Sequence, residues 1–142
     1  LFFIYRWLSV LISPFVRFWI LYRASLGLEE KNRLRERLGF SSLKKTKGPL
    51  IWFHAASVGE TISLVPLLKL YKDCYPDHCL LLTTTTVTAR QIVLERLADV
   101  CDHQYVPFDV SRWICRFLKF WKPKAIILTE SEIWPNLIWH SK

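Results

Sequence analysis

The chain has 142 residues, enough for one domain with a hydrophobic core, and carries 20 Lys/Arg against 12 Asp/Glu. The excess is uneven: residues 1–47 hold ten Lys/Arg and three Glu, a net +7, whereas residues 48–142 hold ten Lys/Arg and nine Asp/Glu, a net +1. A nucleic-acid-binding domain carries its basic patch on the folded face, so nucleic acid is excluded as a partner, and the pattern suits a basic arm facing anionic lipid.

Residues 1–22, "LFFIYRWLSVLISPFVRFWILY", have the length of a membrane span. Arg6 and Arg17 oppose that reading, because an Arg at mid-bilayer costs about 2.5–3.5 kcal/mol. At about 100° per residue, Arg6, Ser9, Ser13 and Arg17 fall in one narrow stripe of a helix whose remaining surface is apolar and aromatic. A helix lying in the membrane interface avoids the cost by turning that stripe toward water. A monotopic anchor is therefore preferred to a single span. A cleaved signal peptide is set aside, since the apolar run is too long and no A-x-A site follows. Pro14 is expected to kink or break the helix.

Residues 23–49 form a basic segment: a short helix stopped by Gly39, then the linker "SSLKKTKGP". Basic residues directly after the anchor place this side in the cytoplasm, at the inner face of a membrane.

From Leu50 the chain alternates. "LIWFH" reads as a buried strand and Glu60–Lys72 as a helix, with Pro66 awkward inside it. "CLLLTTT" is a second strand, followed by a helix over Thr88–Leu97 with Thr86 or Thr88 as its cap. "HQYVP" is a third strand, "SRWICRFLKFW" a helix with an apolar face, and "KAIILT" a fourth strand. Pro135 suits the first turn of a last helix, and Trp134 packs to fix the turn before it. Strands alternating with helices predict an α/β fold: a Rossmann-like parallel sheet with helices on both faces over residues 50–142, preceded by the anchor helix. Ligands of such sheets bind beyond the carboxyl ends of the strands. "HAASVGE", "TTTTVT", "PFD" and "ESE" all fall there.

Within these loops, Gly59 is expected to permit a tight turn that a Cβ would resist. Glu60 then stands near a helix N-terminus, whose dipole favours its ionised form. It reads either as a first-turn acid that helps cap the helix or as a general base, which must be ionised and within reach of the proton it removes. Glu130 and Glu132, at alternate positions, could both face the cleft or could be helix-start acids. The four threonines Thr83–Thr86 read as a strand end with a cap, or as hydroxyls for a sugar or phosphate. Arg90 is either a solvated helix residue or an anion contact. No Walker loop and no G-x-G-x-x-G fingerprint is present, which weakens a dinucleotide reading. The four cysteines show no C-x-x-C spacing and read as thiols in a reducing compartment. The four histidines form no ligand pattern, so no metal site and no cofactor are expected. The sequence lacks Met, and "NLIWHSK" ends inside a helical pattern. Both suggest a segment of a longer chain.

Taken together and in this order, "WFHAASVGE", "LLTTTTVTAR", "VPFD" and "ILTESEIWPNLI" resemble the N-terminal half of 3-deoxy-D-manno-octulosonic acid (Kdo) transferases, GT-B glycosyltransferases of lipopolysaccharide synthesis. The resemblance extends over the apolar arm and "RLRERLGF". The combination of S-x-G-E with E-[LI]-W-P-N makes it specific. It implies an acceptor-binding domain for a lipid A precursor, with CMP-Kdo held by a C-terminal domain absent from this chain. It further implies metal-independent transfer with inversion, and Glu60 as the general base. Glu132 matches the second acidic position, and Ser57, Gly59, Thr85, Thr86, Arg90 and Glu130 are the expected acceptor-binding or supporting residues. Where the family often has Thr-Pro-Thr-Gly, this chain reads "TVTA". Without the donor half, the chain is expected to be inactive alone. Two competing readings are another membrane-associated GT-B enzyme acting on a lipid-linked sugar, and a non-catalytic membrane-anchored binding module.

Overall fold

A computed structural model describes residues 2–45, 47–129 and 134–141. A four-stranded sheet is built from β1 (Leu50–Ala55), β2 (Cys79–Thr84), β3 (Asp102–Tyr105) and β4 (Ala125–Leu128), in the spatial order β3-β2-β1-β4. All three pairings are parallel, with Ala55 opposite Thr84, Thr84 opposite Tyr105, and His54 opposite Leu128. β1 lies at the centre and all six of its residues are buried. That explains its unbroken apolar run, since a strand covered on both faces has no polar side to show.

Alternate residues of β1 enter two cores. Ile51, Phe53 and Ala55 pack with Leu64 and Leu68 of α2 (Val58–Cys74) and with Val93 of α3 (Val87–Arg96). Leu50 and Trp52 pack with Ile114, Phe117 and Trp121 of α4 (Ser111–Trp121) and with Leu137 of α5 (Pro135–His140). Helices thus cover both faces, as the alternation of elements implies. Trp134 meets the His54 ring edge-on at 5.7 Å and Pro135 occupies the first turn of α5. The helix boundaries move because the caps do: Ser57 caps α2 and Thr86 caps α3, each starting its helix a residue or two early. Pro66 stays inside α2 on its exposed side, where water can serve the carbonyl left without a donor.

The arm forms α1 (Phe2–Ser25), an unbroken helix that includes Pro14. Part of the expected polar stripe meets the domain rather than water, while Arg6 and Arg17 remain exposed. Ser13, Ile20 and Ala24 are buried against the domain, while Trp7, Leu11, Phe15 and Phe18, on the opposite side, are about three-quarters exposed. The Ser9–Ser13 side of the polar stripe therefore faces the protein, not water. Tyr5 donates to Asp109 at 3.0 Å and Asn136 donates to Ser9 at 3.3 Å. Asp109 also accepts from the backbone N–H groups of Asn136 and Leu137, both at 3.0 Å, so one carboxylate ties α1 to the start of α5. The stripe pattern located the polar side correctly but could not say what would meet it.

After α1, residues Lys31–Leu38 form a 3₁₀ helix ended by Gly39 in the left-handed region (φ 79°). Gly39 is required twice over. A side chain resists that φ, and a Cβ would lie 2.1 Å from the Trp113 carbonyl oxygen. The segment is docked on the domain through buried Glu36 and Arg37. Tyr105 N–H donates to Glu36 at 2.8 Å, and Gln104 donates to the Phe40 carbonyl at 3.0 Å.

Candidate functional site

The sequence "SVGE" places a hydroxyl and a carboxylate three positions apart at the end of β1, the spacing of a capping box. The box is formed in full: the Ser57 side chain accepts from Glu60 N–H and the Glu60 side chain accepts from Ser57 N–H. Glu60 Oε1 accepts from Ser57 N–H at 3.1 Å and from the Ser57 hydroxyl at 2.5 Å. Glu60 Oε2 accepts from Ala56 N–H at 2.9 Å and from the Thr129 hydroxyl at 2.6 Å. Four donors thus occupy a carboxylate with about four acceptor positions.

These bonds set its ionisation. Burial pushes the Glu60 carboxyl upward. The hydrogen bonds from Ser57, Thr129 and the two backbone N–H groups pull it down more strongly and leave it below its ordinary value. Glu60 is ionised at neutral pH, and both of its possible roles share that state. Ser57 is exposed, so its hydroxyl is the donor that an incoming group can replace.

Thr129 carries no local signal in the sequence. It comes to Glu60 because β4 pairs beside β1; the His54 carbonyl also lies 2.8 Å from its hydroxyl, so the two acceptors share its single hydrogen. No local pattern announces a contact across 69 positions. Gly59 corrects an expectation. It sits in the first turn of α2, its φ is not positive, and a Cβ there would meet nothing within 4 Å. The tight turn is not there; Gly59 leaves open space beside Glu60.

Thr85, Thr86 and Arg90 gather at the ends of β2 and α3, apart from the donors of Glu60. Thr86 caps α3, accepting from Ala89 N–H at 3.1 Å. Arg90 pairs with Glu30 of the arm at 2.9 Å, and Tyr105 donates to the same carboxylate oxygen at 2.9 Å. The Thr85 carbonyl accepts from Arg37, whose guanidinium also pairs with Glu29 at 2.9 Å. Among the described residues, the buried Thr85 hydroxyl and Arg90 Nε have no hydrogen-bond partner. Beside them, Arg33 approaches His103 Nδ1 at 3.4 Å and Thr84 lies 2.9 Å from Nε2. A guanidinium only donates, so Nδ1 accepts and Nε2 carries the hydrogen. Burial and the charges of Arg33, Arg90 and Arg37 push this imidazole down to about 3. Arg90 is thus engaged by Glu30 while partly exposed, and the arm packs on this part of the edge.

Glu130 and Glu132 lie outside the described residues. Among the described residues no group of three or more His, Cys, Asp or Glu is placed to hold a metal ion. Cavities flank α1, one of about 440 Å³ bordered by Arg6, Trp7, Val10, Ser111, Arg112 and Cys115. Glu60 is half-buried.

Comparison with known proteins bears on this arrangement. The family model for 3-deoxy-D-manno-octulosonic-acid transferase (kdotransferase) matches residues 32–142. A probable mitochondrial 3-deoxy-D-manno-octulosonic acid transferase of Arabidopsis thaliana is 42% identical over 135 residues, 95% of this chain and 30% of the relative. The Haemophilus influenzae 3-deoxy-D-manno-octulosonic acid transferase is 36% identical over 137 residues, 96% of this chain and 32% of the relative. That of Aquifex aeolicus is 40% identical over 102 residues, 71% of this chain and 28% of the relative. The chain spans about a third of the length of these relatives.

Proposed function

This chain belongs to the Kdo transferase family, and from that premise we propose that it forms the acceptor-side domain of a GT-B enzyme that moves Kdo from CMP-Kdo to a sugar hydroxyl of a lipid A precursor, with inversion and with Glu60 as general base. The observation that carries this reading is a carboxylate held ionised at the carboxyl end of the central strand, with an exposed hydroxyl as one of its four donors.

The step needs no covalent intermediate. An acceptor hydroxyl takes the place of the Ser57 hydroxyl on Glu60 Oε1 and donates to it. As the acceptor oxygen bonds to the anomeric carbon, its proton passes to Glu60. The bond from that carbon to the phosphate oxygen breaks, and CMP leaves with the electron pair. Exchanging one hydroxyl donor for another keeps the carboxylate ionised and puts the acceptor's proton on Glu60 Oε1, where it can be transferred. Gly59 leaves the approach open. Thr85, Thr86 and Arg90 act as supports that hold α3 and the arm, and Glu130 and Glu132 are proposed for the same acceptor cleft.

We place α1 in the interface at the cytoplasmic face of an inner membrane. α1 is long and apolar enough to cross a membrane. Its docking on the domain from Tyr5 to Ala24 supports the lying orientation, because a helix held along its length cannot leave to span. The apolar side turned away from the domain is the side that meets lipid.

The test is a transfer assay with the full-length enzyme, CMP-Kdo and lipid A precursor. CMP should appear in step with Kdo on the acceptor, and the product anomer should be inverted. This chain alone should release none. Retention of configuration, or no transfer to this acceptor, would overturn the reading.

A further inference from the structure

The arm's three carboxylates are all engaged: Glu29 by Arg23 and Arg37, Glu30 by Arg90, and Glu36 by Arg33. Among the described residues no carboxylate forms an ion pair with Arg17, Arg35, Arg112 or Arg116. These four gather where α1 and α4 meet. The Arg35 and Arg116 guanidinium carbons stand 4.6 Å and 3.8 Å from the Phe40 ring centre. Arg17 lies 6.0 Å from the Trp113 ring, and Arg112 is one turn from Arg116 on α4. Burial, and then repulsion by Arg17, Arg112 and Arg35, holds the Arg116 guanidinium below its ordinary value. Arg116 donates to the Leu38 carbonyl at 2.6 Å, a neutral acceptor that leaves the repulsion among the four cations for an anion to relieve.

The surroundings give that anion a chemistry. Arg17 and Arg35 border a groove of about 310 Å³ whose other walls are Ile20, Leu21, Leu34 and Leu38. Its rim continues into the exposed apolar side of α1 at Phe18 and Leu21. A group with a phosphate at one end and a hydrocarbon chain at the other fits both halves.

We infer that Arg17, Arg35, Arg112 and Arg116 form a phosphate site for an anionic phospholipid of the membrane, with an acyl chain of that lipid in the Ile20–Leu21–Leu34–Leu38 groove. The site rests on the interfacial placement of α1. It adds to it a preference for anionic headgroups and a fixed rotation of the domain on the bilayer.

The experiment measures binding of the full-length protein to vesicles of phosphatidylcholine alone and of phosphatidylcholine mixed with phosphatidylglycerol. Wild type should favour the mixed vesicles. The double variant Arg17→Gln/Arg112→Gln alters two exposed side chains and should lose about tenfold or more of its affinity for mixed vesicles. Its binding to phosphatidylcholine should be unchanged. A control, Lys69→Gln/Arg96→Gln, removes the same charge from α2 and α3 and should have little effect. An equal loss in the control would replace the site with diffuse attraction and overturn the inference. Equal wild-type binding to both vesicles would overturn it while leaving the interfacial helix standing. Binding to neither would overturn the interfacial reading itself, and the site with it.

Discussion

Glu60 and Glu30 stand at the same edge of the sheet, yet the donors that hold them differ in kind. Glu60 is held by two backbone N–H groups and two hydroxyls, one of them exposed. Glu30 is held by the Arg90 guanidinium and the Tyr105 phenol, brought in from 60 and 75 positions away. A hydroxyl can be exchanged for another hydroxyl with little change in charge. A guanidinium cannot be exchanged without leaving a carboxylate unpaired. The β1–α2 junction therefore holds its carboxylate with a donor that another hydroxyl can replace, whereas the β2–β3 edge fastens the arm. Position in the fold alone does not separate site from strut; the replaceability of the partners does.

The largest expected effect breaks the strut. Arg37 is 2% exposed, pairs with Glu29 and donates to the Thr85 and Val106 carbonyls. Arg37→Met should destabilise the protein by about 3–5 kcal/mol, the range for breaking a buried ion pair. Denaturant unfolding measures this. A loss below about 1 kcal/mol, the worth of a surface pair, would show that the arm is not fastened there.

A smaller effect sharpens the contrast through pH. His103 is neutral in the folded state, with a pKa of about 3, against 6.5 for a free imidazole. Below 6.5 the unfolded chain takes up a proton that the folded one refuses. Stability should therefore fall as pH drops from 6.5 toward 3, by up to about 1.4 kcal/mol per pH unit from this group. His103→Gln should flatten that part of the profile, and an unchanged slope would contradict the assignment.

The smallest effect sets the site apart from the strut. Gly59 sits in a helix turn where a Cβ meets nothing. Gly59→Ala should raise stability by about 0.5–1 kcal/mol. If the acceptor passes over this turn, the same change should raise KM in the full-length enzyme. A gain in stability with unchanged KM would move the acceptor path elsewhere.

These contrasts were only partly legible in the sequence. The four strands and their helices could be read because apolar runs and their breaks are local signals. Glu60 and Thr86 could be placed as capping residues because a cap is a short-range pattern. Thr129, Arg37 and Glu36 could not, because their partners lie dozens of positions away and are set by strand register and docking of the arm. The stripe on α1 was visible, but periodicity identifies a side without saying whether protein, water or lipid meets it. Gly59 misled because a glycine at a strand-helix junction suggests a special φ, whereas here it lies inside the helix.

The account turns on whether Glu60 takes a proton or only caps α2. Glu60→Gln keeps the shape, and its one amide oxygen can still accept from Ser57 or from Ala56 but not from both, and it cannot act as a base at neutral pH. The direct measurement is the single-turnover rate of the full-length variant with saturating CMP-Kdo and acceptor. The base assignment predicts a fall of about 10²–10⁴ with substrate affinities nearly unchanged. A folded Glu60→Gln enzyme within about threefold of wild type would contradict it and leave Glu60 as a cap.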